Sequence, residues 1–180
     1  SALHIACLAL GLEQGDILWT SPITFVASAN CGVYCGAKID FVDIDPDTFN
    51  ICPLLLRQKL EKAAQEGALP KIVIVVHMCG KSCDMKSISL LSKEFGFAVI
   101  EDASHAIGGR YCDEPIGCCR YSDITVFSFH PVKIITTCEG GAALTNNENL
   151  AEKMVLYRSH GITRDPSKMT NFHDAPWYYE

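Results

Sequence analysis

The sequence predicts a three-layer α/β/α fold built on a mostly parallel sheet. Three observations carry that expectation. Helix-like stretches and short extended runs alternate almost throughout. One run, Lys71–Val76 (KIVIVV), is apolar at every position after its lysine, as a strand covered on both faces must be. Glycine and proline punctuate the joints, at Gly11, Pro22, Pro53, Gly67, Gly96 and Gly161.

Ser1–Leu10 reads as a helix with Leu3, Cys7 and Leu10 on one face, and Gly11 and Gly15 end it. Asp16–Thr20 is a short strand. Ser21-Pro22 turns the chain toward a helix from about Thr24 to Cys35, and Lys38–Val42 is extended again. Pro53 fits the first position of a helix that runs to Gly67, with Leu56, Leu60 and Ala63 at helical spacing. After the Lys71–Val76 strand, Asp84 is placed to cap a helix whose Met85, Ile88, Leu91 and Phe95 form a stripe ending at Gly96. Phe97–Ile100 is the strand that carries Asp102 at its carboxyl end, where open α/β sheets bind ligands. Asp123–Phe127 is a further strand, Ala142–Thr145 is extended, and a helix from about Glu148 to Ser159 closes at Gly161. Arg164–Glu180 has no clear period.

Composition excludes several classes. With 48% apolar residues in 180 the chain is rich enough for a buried core, which argues against disorder. A formal charge of −6 gives no general attraction for nucleic acid or anionic lipid, although a local phosphate site is compatible with it. No apolar run reaches membrane-spanning length. Ala2–Leu10 lacks the basic flank and cleavage motif of a secretory leader. The ten cysteines include Cys31/Cys35, Cys79/Cys83 and the adjacent Cys118 and Cys119, but no C-x-x-C pair of zinc-ligand spacing. They read as reduced structural thiols of a cytoplasmic protein.

The most informative stretch is Phe127–Lys133 (FSFHPVK), followed by Glu139–Gly141 (EGG). It places a hydroxyl, Ser128, and an amine, Lys133, on one turn at the end of a strand. That pairing suits an amine that condenses with an aldehyde beside a phosphate, as enzymes of pyridoxal phosphate require. Such a cofactor also needs an acid against its pyridine nitrogen, and Asp102 in Glu101–Ala106 (EDASHA) is the candidate. Two readings fit Asp102, a turn residue after a strand or the partner of the ring. Glu101 is the competing acid, but strand alternation points it to the opposite side. Lys133 is either an exposed turn lysine or the covalent anchor, and its apolar flanks favour the second.

Other patterns fail on inspection. Gly80-Lys81-Ser82 resembles the end of a P-loop, but Val75 stands where its first glycine belongs. Gly108-Gly109 makes no dinucleotide fingerprint. His77, His105, His130 and His160 lack ligand spacing, and no G-x-S-x-G elbow supports a hydrolase triad of Ser128, His105 and Lys133.

On these residues the chain resembles the DegT/DnrJ/StrS-type sugar-nucleotide aminotransferases, which share the aspartate aminotransferase fold. The matching stretches are Ser1–Gly11, Thr20–Ala27 (TSPITFVA), Phe41–Asp45 (FVDID), Glu101–Ala106, Phe127–Lys133 and Glu139–Gly141, in the family's order over nearly the whole chain. Tyr121–Thr137 with Arg158–Asp165 is most similar to the family's pseudaminic-acid branch. The resemblance implies the large, cofactor-binding domain of a type I pyridoxal phosphate transferase spanning residues 1–180. It makes Lys133 the cofactor's covalent anchor and Asp102 the partner of its ring nitrogen. It gives Phe25 as the aromatic that stacks on the ring, with a core phenylalanine as the alternative that periodicity leaves open. His105 falls beside the ring, and Ser128 falls on the phosphate.

It further implies glutamate as amino donor, a UDP-linked 4-keto-6-deoxy sugar as acceptor, a homodimer, and no nucleic acid or membrane partner. Of the family's Gly-Thr phosphate turn before the first helix only Ser1, the following residue, is present. The Asn-bearing segment that reaches a partner's site and the smaller C-terminal domain lie past Glu180. The expectation is therefore a piece of such an enzyme, folded but weak in cofactor binding and inactive by itself. Three other readings stay open: a non-covalent α/β nucleotide-binding protein, a sensor or scaffold on the same fold, and a sugar dehydratase. The dehydratase relatives carry histidine at the lysine position.

Overall fold

Leu18, Ile72, Ile74, Ile100, Ile124 and Val126 share one core cluster, while Trp19, Val73, Val75 and Val99 share another. The two sets alternate along the same strands, so the sheet they build is covered on both faces. The computed structural model describes residues 1–171 and 175–180. Its strands are β1 (Ile17–Thr20), β2 (Lys38–Phe41), β3 (Ile72–Val76), β4 (Ala98–Asp102), β5 (Arg110–Tyr111), β6 (Glu114–Pro115), β7 (Ile124–Ser128) and β8 (Gly141–Leu144). Its helices are α1 (Ala2–Ala9), α2 (Ala27–Tyr34), α3 (Pro53–Glu66), α4 (Met85–Phe95) and α5 (Glu148–Arg158).

Six strands form the main sheet in the order β2-β1-β3-β4-β7-β8. Every pair is parallel except β7–β8, which is antiparallel with Ser128 opposite Gly141. Helices α1, α2 and α5 cover one face through Leu3, Ala6, Cys7, Cys31 and Met154. Helices α3 and α4 cover the other through Leu56, Leu60, Met85, Ile88 and Leu91. Each fully buried leucine or isoleucine contributes about 1.5–3 kcal/mol, which is why the two apolar stripes hold both outer layers. The expected three-layer fold is the one found.

Adjacent strands β1 and β3 send their following helices to opposite faces, α2 to one and α4 to the other. A crevice opens at the carboxyl ends of strands where such a reversal occurs. Alternation from Leu18, Ile100 and Val126 places Thr20, Asp102 and Ser128 on the α1/α2/α5 face of that edge.

Several boundaries differ from expectation for identifiable reasons. Helix α1 spans Ala2–Ala9, with Ser1 as its N-cap and Leu10 as its C-cap. Helix α2 begins at Ala27 rather than Thr24, because Ser21–Val26 is a turn in which the Ser28 amide reaches back to the Phe25 carbonyl. Asp102 is the last residue of β4 rather than a residue beyond it. The β5–β6 hairpin, whose turn residues Cys112 and Asp113 both have positive φ, was not expected. Asp84 caps α4 as expected, accepting from the Ser87 amide at 3.3 Å and hydroxyl at 2.6 Å. All ten cysteines are free thiols, and Cys79, Cys112 and Cys138 are exposed, which does not suit a structural role for those three. Among the described residues no helix is long and apolar enough to cross a membrane.

Candidate active site

Asp102 lies at the end of a strand whose preceding residues are apolar or paired, and its side chain is only 5% exposed. A carboxylate so placed needs donors. Ser28 in the first turn of α2 supplies one, its hydroxyl donating to Oδ2 at 2.7 Å. Thr24 Oγ1 lies 2.9 Å from the same Ser28 hydroxyl. Ser104 supplies two more to Oδ1, from its hydroxyl at 2.6 Å and its amide at 3.2 Å. All of these donors are neutral, so no cation among them competes with a cationic ligand group for the carboxyl.

The turn that follows Asp102 carries His105, and His105 meets Lys133: Lys133 Nζ and His105 Nε2 are 2.9 Å apart. An ammonium has donors only, so Nε2 is the acceptor and the imidazole proton sits on Nδ1. The Lys133 segment is a closed loop between β7 and β8. The Phe129 amide donates to the Gly140 carbonyl at 2.8 Å, and the Thr137 amide to the Phe129 carbonyl at 3.0 Å. Inside it the Lys133 amide donates to the His130 carbonyl at 2.9 Å, and His130 Nδ1 lies 3.0 Å from Glu139 Oε1. The lysine is thus half-buried on a braced turn, although its apolar flanks Val132, Ile134 and Ile135 are exposed, contrary to the expectation drawn from them.

Beneath His105 lies Gly80, at φ +84°, where an added Cβ would stand 2.7 Å from the His105 carbonyl oxygen. The stretch that resembled a P-loop end therefore serves as a seat for the His105 turn. Glycine is needed there for both its conformation and its lack of a side chain.

Ser128 is half-buried at the end of β7, and its Oγ accepts from the His130 amide at 3.4 Å. A Cβ on its rung partner Gly141 would lie 3.5 Å from Ala2 Cβ, so α1 begins beside Ser128. Ser1 caps that helix without a side-chain hydrogen bond. The first amides of a helix have no intrahelical acceptor, and with a hydroxyl alongside they suit an anion. Phe25 is 73% exposed just ahead of α2, which removes the reading of it as a core residue.

The structure brings Lys133 to His105, His105 to Asp102 through one turn, and Ala2, the first residue of α1, to Gly141 opposite Ser128. Among the described residues no hydrogen bond joins Lys133 directly to Asp102 or Ser128. Thr20, also on this face, is fully buried and its Oγ1 is the one buried side-chain nitrogen or oxygen without a partner among the described residues. The whole set fits a ligand with an anionic end toward α1 and Ser128, a cationic aromatic nitrogen toward Asp102, and a carbonyl carbon within reach of Lys133.

Sequence reasoning missed Ser28, Thr24, Ser104 and Thr20. The i, i+4 spacing of Thr24 and Ser28 was the only local signal for the first two. It also set His77 aside. His77 is fully buried, its Nε2 lies 2.8 Å from Glu101 Oε2, and its Nδ1 accepts from the Cys83 amide at 3.2 Å. Glu101 does lie on the face opposite Asp102, as alternation required. Burial raises its pKa, but hydrogen bonds from His77, Ser122 and Thr125 outweigh that and hold it below the ordinary glutamate range.

The family model for the DegT/DnrJ/EryC1/StrS aminotransferase family matches residues 1–176. A UDP-4-amino-4,6-dideoxy-N-acetyl-beta-L-altrosamine transaminase of Campylobacter jejuni is 45% identical over 165 residues, 91% of this chain and 42% of that protein. Helicobacter pylori PseC, an aminotransferase involved in the biosynthesis of pseudoaminic acid, superposes with a TM-score of 0.81 at 32% identity, covering 100% of this chain and 45% of that one. NtdA from Bacillus subtilis with bound cofactor PMP gives 0.79 at 32% identity, over 96% of this chain and 37% of that one. The chain spans about two-fifths of the length of these relatives.

Proposed function

The chain belongs to the DegT/DnrJ/EryC1/StrS aminotransferase family, and from that premise we propose that it is the cofactor-binding large domain of a pyridoxal phosphate-dependent sugar aminotransferase. The whole enzyme would move an amino group from glutamate to the keto carbon of a UDP-linked 4-keto-6-deoxy sugar. The product would serve pseudaminic-acid or related cell-surface glycan synthesis. We place it in the cytoplasm as a homodimer, with its smaller domain outside these residues. The observation that carries the reading is the path from Lys133 through His105 to Asp102 along one edge of the sheet.

Bound pyridoxal phosphate supplies an electron sink for the carbon that loses its proton. Asp102 holds a proton on the ring nitrogen, since an adjacent anion favours the charged form. Ser28 and Ser104 fix the direction of that carboxylate. Ser128 and the first amides of α1, beginning at Ser1, bind the phosphate. Phe25, exposed at the same edge, offers its face to the ring, and His105 lies alongside. Lys133 Nζ would hold the cofactor covalently and, as a free amine, would serve as the base for the α-proton of glutamate. It later delivers a proton to the sugar carbon. His105 Nε2 accepts a hydrogen bond from Nζ and so aims it between those tasks.

The test is direct. The whole protein with pyridoxal phosphate is incubated with glutamate and a UDP-linked 4-keto-6-deoxy-N-acetyl hexose, and 2-oxoglutarate and amino sugar are quantified. Equal amounts of both products are expected. Failure to form either, with the cofactor bound, would contradict the assigned acceptor.

A further inference from the structure

Glu101 and His77 lie on the far side of β4 from the site, and the mechanism above makes no use of them. Both are buried, at 5% and 0% exposure. Their contacts reach three adjacent strands. His77 follows β3, and its Nδ1 accepts from the Cys83 amide, which leaves Nε2 as the protonated nitrogen that donates to Glu101 Oε2 at 2.8 Å. The other carboxylate oxygen accepts from Thr125 of β7 at 3.0 Å and from Ser122 just before β7. Glu101 is therefore a single acceptor tying β3, β4 and β7 together one residue short of the site. Those strands deliver Asp102, and Ser128 with the Lys133 loop.

The backbone makes the location matter. Pairing of β3 with β4 ends at Val76 opposite Asp102. One more bond, from the His77 amide to the Asp102 carbonyl at 3.1 Å, closes the ladder, and the Ala103 amide bonds the Val126 carbonyl at 2.8 Å. Beyond these the chain leaves the sheet. His77 thus grips Asp102 by its backbone and Glu101 by its side chain. A buried ionisable pair is seldom a net source of stability compared with apolar residues of the same volume. Its use here lies in geometry.

We propose that Glu101 and His77 are positioning residues that hold Asp102, and through Thr125 the start of the Lys133 loop, from the opposite face of the sheet. The assignment of Asp102 to a cofactor rests on the proposed function; the clamp itself does not. The test uses Glu101→Leu, His77→Leu, the double variant, and His77→Gln. Glutamine presents an acceptor and a donor as imidazole does, and is the rescue.

Two measurements are made on the whole protein. The first, without cofactor, is amide hydrogen exchange. Each Leu variant should speed exchange at His77 and Ala103 at least tenfold and leave Leu18 and Trp19 of β1 unchanged, the double variant should equal either single, and His77→Gln should stay near the parent. The second is the dissociation constant for pyridoxal phosphate, which should rise about tenfold in the Leu variants and recover in His77→Gln. Uniform acceleration across the sheet, or a His77→Gln protein as perturbed as His77→Leu, would overturn the clamp. A parent protein that binds no pyridoxal phosphate would sink the proposed function, and the exchange pattern would still decide the clamp.

Discussion

The hydroxyl of Ser28 donates to Asp102 Oδ2 at 2.7 Å, joining two residues 74 positions apart in the chain. It connects the first turn of α2, which follows β1, to the last residue of β4, two strands away. Strand order makes this possible: β3 lies between β1 and β4, and α2 crosses the carboxyl edge on the same face as Asp102. The acid that defines the site is thus aimed by a helix as well as by the turn that follows its own strand.

Replacing Ser28 by Ala tests that arrangement. A hydrogen bond to a charged group contributes about 1.5–3 kcal/mol, so the rate of amino transfer should fall about tenfold or more. Asp102→Ala removes the carboxylate itself and should cost on the order of a hundredfold or more in turnover, with a much smaller change in cofactor affinity. Steady-state kinetics of both variants beside the parent decide this. Parent-like rates in Ser28→Ala would show that Ser104 alone orients the acid.

Gly80→Ala should destabilise the protein although it adds a single methyl group. At φ +84° an alanine is strained by about 1–2 kcal/mol, and its Cβ would press on the His105 carbonyl. The urea midpoint should drop, and the Lys133–His105 contact should loosen, read as weaker cofactor binding. Unchanged stability would mean that the turn has room to shift.

Glu101 gives a pH prediction. Its pKa is held below the ordinary 4.5 because hydrogen bonds from His77, Ser122 and Thr125 outweigh its burial. A group with a depressed folded-state value adds stability that is complete above its unfolded value and is lost as pH falls through the folded one. Cys83 and Cys119 also face it and are pushed up mainly by burial. They stay neutral across this window. Urea midpoints followed from neutral pH down to about pH 3 should fall in the parent and fall less steeply in Glu101→Gln. Identical acid limbs would place the acid sensitivity elsewhere.

What the sequence disclosed and what it withheld divide along physical lines. Strand β3 was legible because burial on both faces leaves no polar residue before His77. Asp102 was legible because it closes a strand with Glu101 pointed to the other face, Lys133 because it shares one turn with the hydroxyl of Ser128, and α4 because Asp84 and Gly96 bracket its stripe. Ser28, Thr20 and His77 were not. Ser28 and His77 act through contacts with residues distant in the chain, Thr20 Oγ1 has no hydrogen-bond partner among the described residues, and a lone serine, threonine or histidine carries no periodic signal. The side of Phe25 was undecidable for a similar reason. Periodicity extended α2 back to Thr24, whereas the turn at Ser21–Val26 leaves the ring in solvent.

Everything proposed for the site turns on one amine. The whole protein, loaded with pyridoxal phosphate, is reduced with borohydride, digested and mapped by mass spectrometry. The account predicts a pyridoxyl group on the peptide carrying Lys133 and nowhere else. A label on Lys81 or Lys153, with Lys133 unmodified, would contradict it.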